Sequence, residues 1–279
     1  MNQVMSPEDA RRSKLLERLA RDPVSHRHVY GALDPQYHHF TTDRQEHELI
    51  LLDDLPLLVW TRERVACLWD EPGEATVDAI AGFISERQLN ELTVLGEEGF
   101  RVLRPRLTGG KWRLSRNYGV TVREFVPRPL TSIRRLSEAD EAAVERACEK
   151  VKVLGESHST RRDFGLMGKG LPVPCYGAFA DGELVGFCSA NPICRGVQEI
   201  SWIAVAAQHR RRGLAAALLT AQAGEAFAEG KAVGYHAGSA GDDLQAMVRA
   251  LGFREVKPTY RLIPSDSEEQ WRTGWGKGV

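Results

Sequence analysis

The chain has 279 residues, long enough for two domains, and its 37 Lys and Arg against 38 Asp and Glu leave a formal net charge of −1, which excludes bulk attraction to nucleic acid or to an anionic membrane. Five scattered cysteines, an odd number without a Cys-x-x-Cys pair, argue against a disulfide framework or a standard zinc site, so no metal is expected. With no signal-like N-terminus and no apolar run near about 18 residues, the sequence reads as a soluble cytoplasmic protein with neither nucleic acid nor membrane as partner.

Ser6-Pro7-Glu8-Asp9 offers a cap, a first-turn proline and two acids ahead of an amphipathic helix over 10–22, with Leu15, Leu16 and Leu19 inward. A second helix is expected near 26–33. Residues 48–52, 57–62 and 64–70 are short apolar or alternating runs broken by Asp53-Asp54 and other turn residues, the pattern of adjacent strands. Helical periodicity over 76–87, a short strand over 92–95, a helix over 97–103 and alternation over 111–126 complete the first half. Pro127-Arg128-Pro129 interrupts every periodicity, so 126–130 is read as the boundary between a domain over 1–126 and one over 130–264, with a polar tail over 265–279.

In the second half, a strand over 133–136 is followed by Ser137 and Asp140, spaced as a capping box for a helix reaching about 153. A second helix is expected near 157–167. Gly165-Leu166-Met167-Gly168-Lys169-Gly170 lacks the spacing of a P-loop and reads as a flexible loop or a plain connector. Runs over 175–180 and 184–190 flank Asp181-Gly182, a strong two-residue hairpin signal. A strand over 198–206, a helix over 212–229 stopped by Gly230, a strand over 232–236, a helix over 242–251 and strands over 253–262 follow. This order predicts an α/β fold with a mixed sheet and helices on both faces.

The turn between the 198–206 strand and the next helix carries the chemistry. The first amides of a helix lack internal partners and the macrodipole adds positive charge, so such a turn binds phosphate. Gly213 and Ala215 keep bulk away from an approaching ligand, Leu214 opens the helix between them, and Arg210, Arg211 and Arg212 add cations suited to phosphate oxygens. Three adjacent cations are ill placed at a helix N-terminus unless an anion is expected there.

The string Val205-Ala206-Ala207-Gln208-His209-Arg210-Arg211-Arg212-Gly213-Leu214-Ala215 resembles the acyl-CoA motif of the GNAT N-acetyltransferase superfamily, Arg/Gln-x-x-Gly-x-Gly/Ala, through Arg210, Gly213 and Ala215. Leu251-Gly252-Phe253 is similar to the Leu-Gly-Phe that closes the family's last helix. The resemblance covers about half the chain. It implies a GNAT acyl-CoA N-acyltransferase fold preceded by a smaller α/β domain, a degenerate GNAT-like half similar to the divergent N-terminal domain of relatives of the glycine N-acyltransferases. No counterpart of the 210–215 turn occurs in the first half, which implies a single coenzyme A site.

The resemblance further implies acetyl-CoA, or another acyl-CoA, as cosubstrate. Backbone groups of Ile203, Ala204 and Val205 would meet the pantetheine, and Glu199 would be the general base. A base is useful because an amine of pKa near ~10.4 is protonated at neutral pH. The tyrosine that donates a proton to the thiolate in many relatives is replaced by Val248, and the asparagine that often opens the last helix by Gly241-Asp242. Tyr235 and His236 are the candidate replacements for the acid. Trp202 either lines the acceptor cleft or belongs to the core, an acyl-cysteine route through Cys188 or Cys194 lacks an activating base, and His38-His39 read as surface residues rather than metal ligands. The reaction expected is acyl transfer to the primary amine of a small molecule, an amino acid or a protein. A non-catalytic acyl-CoA-binding regulatory module is the alternative, and the oligomeric state stays open, a homodimer included.

Overall fold

In a computed structural model of the full chain, the described residues are 3–4, 10–34, 47–52, 55–61, 64–70, 72–155, 158–171, 173–238 and 242–264. The expected cap at Ser6, the Asp53-Asp54 break, His38-His39, Gly241 and the 265–279 tail lie outside them. The chain divides into two compact units, one formed by Met1–Asn117 with Val256–Val279, the other by Tyr118–Glu255. They are of nearly equal size, because a C-terminal strand joins the first.

In the first unit, β1 (Gln3–Val4), β2 (His47–Leu52), β3 (Leu55–Trp60) and β4 (Val65–Leu68) pair antiparallel in succession. Helices α1 (Ala10–Leu19) and α2 (Arg27–Leu33) come between β1 and β2. Strand β4 then crosses through α3 (Glu74–Glu86) to the parallel β5 (Glu91–Leu95), and α4 (Glu97–Leu103) leads to β6 (Gly110–Val120). Strand β3, a run of apolar residues, is buried along its whole length as a central strand requires, and Ile50, Leu57, Val59, Leu68, Ile80, Phe83 and Val94 share one core cluster.

The second unit repeats that order. β7 (Ile133–Arg135), β8 (Cys175–Ala180), β9 (Glu183–Cys194) and β10 (Val197–Val205) are antiparallel neighbours. Strand β10 crosses through α8 (Leu214–Ala228) to the parallel β11 (Ala232–Gly238), followed by α9 (Asp242–Ala250) and β12 (Arg254–Glu255). The fold is therefore mixed α/β, with a parallel pair in each unit. The Asp181-Gly182 turn has both residues at positive φ, 51° and 78°, as a tight hairpin demands.

Helix α5 (Glu141–Lys150) is entered through a 3-10 turn over Glu138–Asp140, and the capping box of Ser137 and Asp140 is formed. The Arg134 guanidinium beside Asp140 is the main reason its carboxyl titrates at about 2, opposed by burial and aided by the Ser137 N–H at 2.9 Å. A carboxyl depressed in the folded state stabilises above its unfolded value of 3.8, and that stability is lost as pH falls through about 2. Half of Arg134 stays in solvent, so Asp140→Asn should cost about 1 to 2 kcal/mol at pH 7. Urea unfolding is expected to show the difference from wild type vanishing between roughly pH 4 and 2.

The long helix expected after Ser137 breaks at Val151, whose ψ of 100° is extended, and resumes as the short α6 (Lys152–Gly155). The glycine-rich stretch from Gly165 corrects the expectation of a loop: α7 (His158–Gly168) runs through Gly165 and Gly168, and only the chain after it turns. Flanking Phe164 and Leu166 pack into the cluster around Leu154 and Phe187, and that burial outweighs the low helix propensity of glycine.

Two helix layers cover the sheet of the second unit. α8 and α9 pack on one side around Ile200, Leu218, Tyr235, Val248 and Phe253; α5, α6 and α7 pack on the other around Val144, Phe164, Phe187 and Ala204. The segment 126–130, read as a boundary from sequence, lies within this unit. Val126 N–H donates to Leu251 C=O at 3.0 Å and Arg128 N–H to Thr220 Oγ1 at 2.9 Å. No helix of the described residues is long and apolar enough to cross a membrane.

Candidate functional site

Strand β10 carries one extra residue at Ser201. Ile200 faces Ala190 and Trp202 faces Ser189, so Ser201 bulges out of the ladder with β9. On its other edge β10 pairs with β11 only from Val197↔Ala232 to Ile200↔Tyr235, although both strands run on. The two parallel strands thus part at Ile200 and Tyr235 and leave a fork. Along its β10 arm lie Ile203, Ala204 and Val205, whose main-chain groups on the β11 side are not spent on the parallel ladder.

The β10 arm leads directly into the predicted turn. After a 3-10 turn over Ala207–His209, Arg211 and Gly213 are left-handed, with φ of 63° and 80°, and Gly213 is the N-cap of α8. No side chain caps α8 and its first turn holds no acid, so the amides that open this 15-residue helix await an anion. Left-handed residues alternating along a turn gather successive N–H groups into an anion-binding hollow. A Cβ added to Gly213 would meet nothing nearer than Leu130 Cδ1 at 3.9 Å, so the approach to these amides is open.

Arg210, Arg211 and Arg212 are all exposed. Arg210 Nε donates to Val205 C=O at 3.1 Å, which ties the turn to the end of β10. Arg211 pairs with Asp243 at 2.7 Å, with both side chains at least 80% exposed, so that pair is weak and easily exchanged for a phosphate. Leu214 is buried and Ala215 half-buried against the α8 core, so they anchor the helix start. The corresponding loop of the first unit, between β4 and α3, has an extended N-cap at Gly73 and an acid, Asp70, paired with Arg18.

The side chains at the fork sort by face, because neighbours along a strand point to opposite sides. Ile200 and Tyr235 belong to the α8 and α9 side. Glu199 therefore leaves on the α7 side, buried at 8% exposure and in register with Gly234, and His236, two residues on, shares its face. Tyr235 is 6% exposed and lies in the cluster that holds Val248; burial pushes its phenol up, aided by Cys188 and Tyr118. The structure thus separates the two candidate acids: Tyr235 opposes Glu199 across the sheet, whereas His236 stands beside it. Trp202 is half-buried and packs against the α5–α7 layer, the core reading of the two weighed from sequence. Cys188 and Cys194 have no exposed surface, and burial raises the Cys188 thiol strongly, so neither offers a ready thiolate.

Leu251-Gly252-Phe253 ends α9 in a Schellman motif, with Phe253 N–H on Val248 C=O at 3.1 Å and Gly252 N–H on Arg249 C=O at 2.9 Å. Gly252 has φ of 89°, and a Cβ there would lie 2.0 Å from the Glu124 carbonyl oxygen, so only glycine fits. Sequence reading missed Asp163 of α7, which is fully buried and bonded to Ser189 and Ser201. Its partners lie 26 and 38 residues away, beyond the reach of any local pattern.

The Acetyltransferase (GNAT) family profile matches residues 136–261. No curated protein sequence matches the chain. Among solved structures, a tandem GNAT protein from the clavulanic acid biosynthesis pathway superposes with a TM-score of 0.58 at 14% identity, covering 94% of this chain and 97% of that one. A GNAT-family acetyltransferase from Colwellia psychrerythraea gives 0.57 at 12% identity, with 95% and 100% covered. A GCN5-related N-acetyltransferase from Sphaerobacter thermophilus gives 0.54 at 19% identity, with 95% and 96% covered. At these identities the likeness bears on the fold, and it extends over both units. Residues 136–261 thus match the GNAT acetyltransferase family, in a chain that has the GNAT fold.

Proposed function

We propose that the second unit binds acetyl-CoA, or a related acyl-CoA, in the fork between β10 and β11 and transfers the acyl group to a primary amine. The observation that carries this reading is the continuity of the fork with the uncapped start of α8. Backbone groups suited to a linear chain of amides run straight into an amide hollow suited to a pyrophosphate. The residues present fit the ligand: Ile203, Ala204 and Val205 line its pantetheine, and the 211–216 amides with Arg210, Arg211 and Arg212 hold its phosphates. When bound, the thioester supplies an activated carbonyl with a fair leaving group.

Glu199 accepts the ammonium proton, directly or through water, and leaves a neutral amine to attack. Tyr235 stands on the opposite face at the point where the strands part, the side shared with Val248, and we assign it rather than His236 as donor to the departing sulfur. Because its phenol is raised by burial it stays protonated through the neutral range. A base and an acid on opposite sides of the fork match a nucleophile that enters from one side and a thiolate that leaves from the other. The near-neutral chain carries no strong acidic bias toward a polybasic acceptor.

The test is to incubate the protein with acetyl-CoA and a panel of amines, amino acids and lysine peptides while titrating released thiol. Amine-dependent thiol release supports the transferase. The buried valine at 248 favours a second reading, an acyl-CoA-binding module without turnover. Calorimetric binding of coenzyme A with no thiol release across the panel would support that instead.

A further inference from the structure

Asp163 of α7 is the one charged side chain drawn wholly into the layer of Phe164, Val173, Cys175 and Phe187, among the described residues, with 0% exposure. Its Oδ2 accepts a hydrogen bond from Ser189 Oγ of β9 at 2.5 Å and from Ser201 Oγ of β10 at 3.0 Å. Its Oδ1 accepts from Arg162 Nε at 2.9 Å. A buried, paired carboxylate is often no more stable than apolar residues of the same volume. Stability alone is therefore a weak reason for a carboxylate here, and its partners suggest another.

Ser201 is the bulge residue of β10, and Ser189 is the residue of β9 that the bulge faces. A single carboxylate oxygen therefore clips both sides of the bulge to α7. The bulge falls between Ile200, the last β10 residue paired with β11, and Trp202, the first residue of the open arm. Glu199 stands two residues before Ser201. Both hydroxyl protons are committed to Asp163, so neither serine donates elsewhere.

We propose that Asp163 is a positioning residue for the acyl-transfer site: through Ser201 and Ser189 it locks the bulge that opens the fork. The lock fixes the main chain of 202–205 toward the acyl-CoA and the direction of the Glu199 carboxylate. This rests on the fork being the acyl-CoA site. Removing the clip loosens the arm without touching any group that meets the ligand.

The test compares wild type with Asp163→Leu and with the triple variant Asp163→Leu/Ser189→Ala/Ser201→Ala, whose apolar replacements leave no buried hydroxyl orphaned. Amide hydrogen exchange of 202–205 in the ligand-free protein and calorimetric affinity for coenzyme A are measured on each, with melting temperature as control. The triple variant should melt near wild type, yet exchange at 202–205 at least tenfold faster and bind coenzyme A about tenfold more weakly. In turnover, KM for acetyl-CoA should rise more than kcat falls. A triple variant with wild-type exchange and affinity overturns the proposal and gives Asp163 a purely structural role. Faster exchange in the variants beside a wild type that does not bind coenzyme A upholds the lock on the bulge but overturns the fork as an acyl-CoA site.

Discussion

Gly213→Glu should abolish coenzyme A binding, with affinity falling at least about a hundredfold by calorimetry while the melting temperature moves little. Two effects add. Residue 213 sits at φ of 80°, where a side chain costs about 1 kcal/mol or more, and the introduced carboxylate enters the hollow where the amides that open α8 converge. Space is not the obstacle, because a Cβ there meets only Leu130 Cδ1 at 3.9 Å, so the fold should survive and the loss reports on the anion site. Gly213→Ala separates the terms: it carries the backbone strain alone and should weaken binding by only about tenfold. Unchanged affinity in the glutamate variant would remove the phosphate assignment.

The second large effect is expected at Glu199. Glu199→Gln keeps the shape of a side chain that is 8% exposed but cannot take a proton, so kcat should drop by about a hundredfold or more near pH 7. The deficit should shrink as pH rises toward the amine's own pKa of ~10.4, where the solvent supplies neutral nucleophile, and the affinity for coenzyme A should hold. Tyr235→Phe should cost less, about tenfold, because a thiolate of pKa near ~8.5 leaves without much help. A pH–rate profile of Glu199→Gln parallel to wild type would argue that the base lies elsewhere.

What could be read in the sequence was local. The Gly213 turn and the Leu251-Gly252-Phe253 helix end depend on a few contiguous residues and on conformations that only glycine takes cheaply, and the Ser137–Asp140 box and the Asp181-Gly182 turn are of the same kind. The helices and strands beside them begin within a residue or two of the expected positions, although the helix after Ser137 breaks at Val151 and the second hairpin strand runs on to Cys194. The fork is different. It arises because a bulge at Ser201 and a ladder that stops at Ile200 and Tyr235 coincide, and both depend on partners from other strands. For that reason the sequence offered Tyr235 and His236 as equals, and the face each occupies separates them. The same holds for the proline segment 126–130. Two prolines read as a domain boundary, but the amides of Val126 and Arg128 are bonded to the end of α9 and to α8, which no local pattern reveals.

One strand of the first unit has a consequence for how the chain is made. β13 (Thr259–Pro264) lies between β5 and β6, pairing Thr259 with Leu95 on one side and with Ser115 on the other. Arg261 of that strand pairs with the buried Glu91 of β5. A ribosome has therefore already delivered the entire second unit before the first can close its sheet. Until then β5 and the start of β6 present open edges and a buried carboxylate without its cation. The first unit to be synthesised is thus the last to be finished, and in the interval it is the part of the chain most exposed to mispairing with other nascent strands.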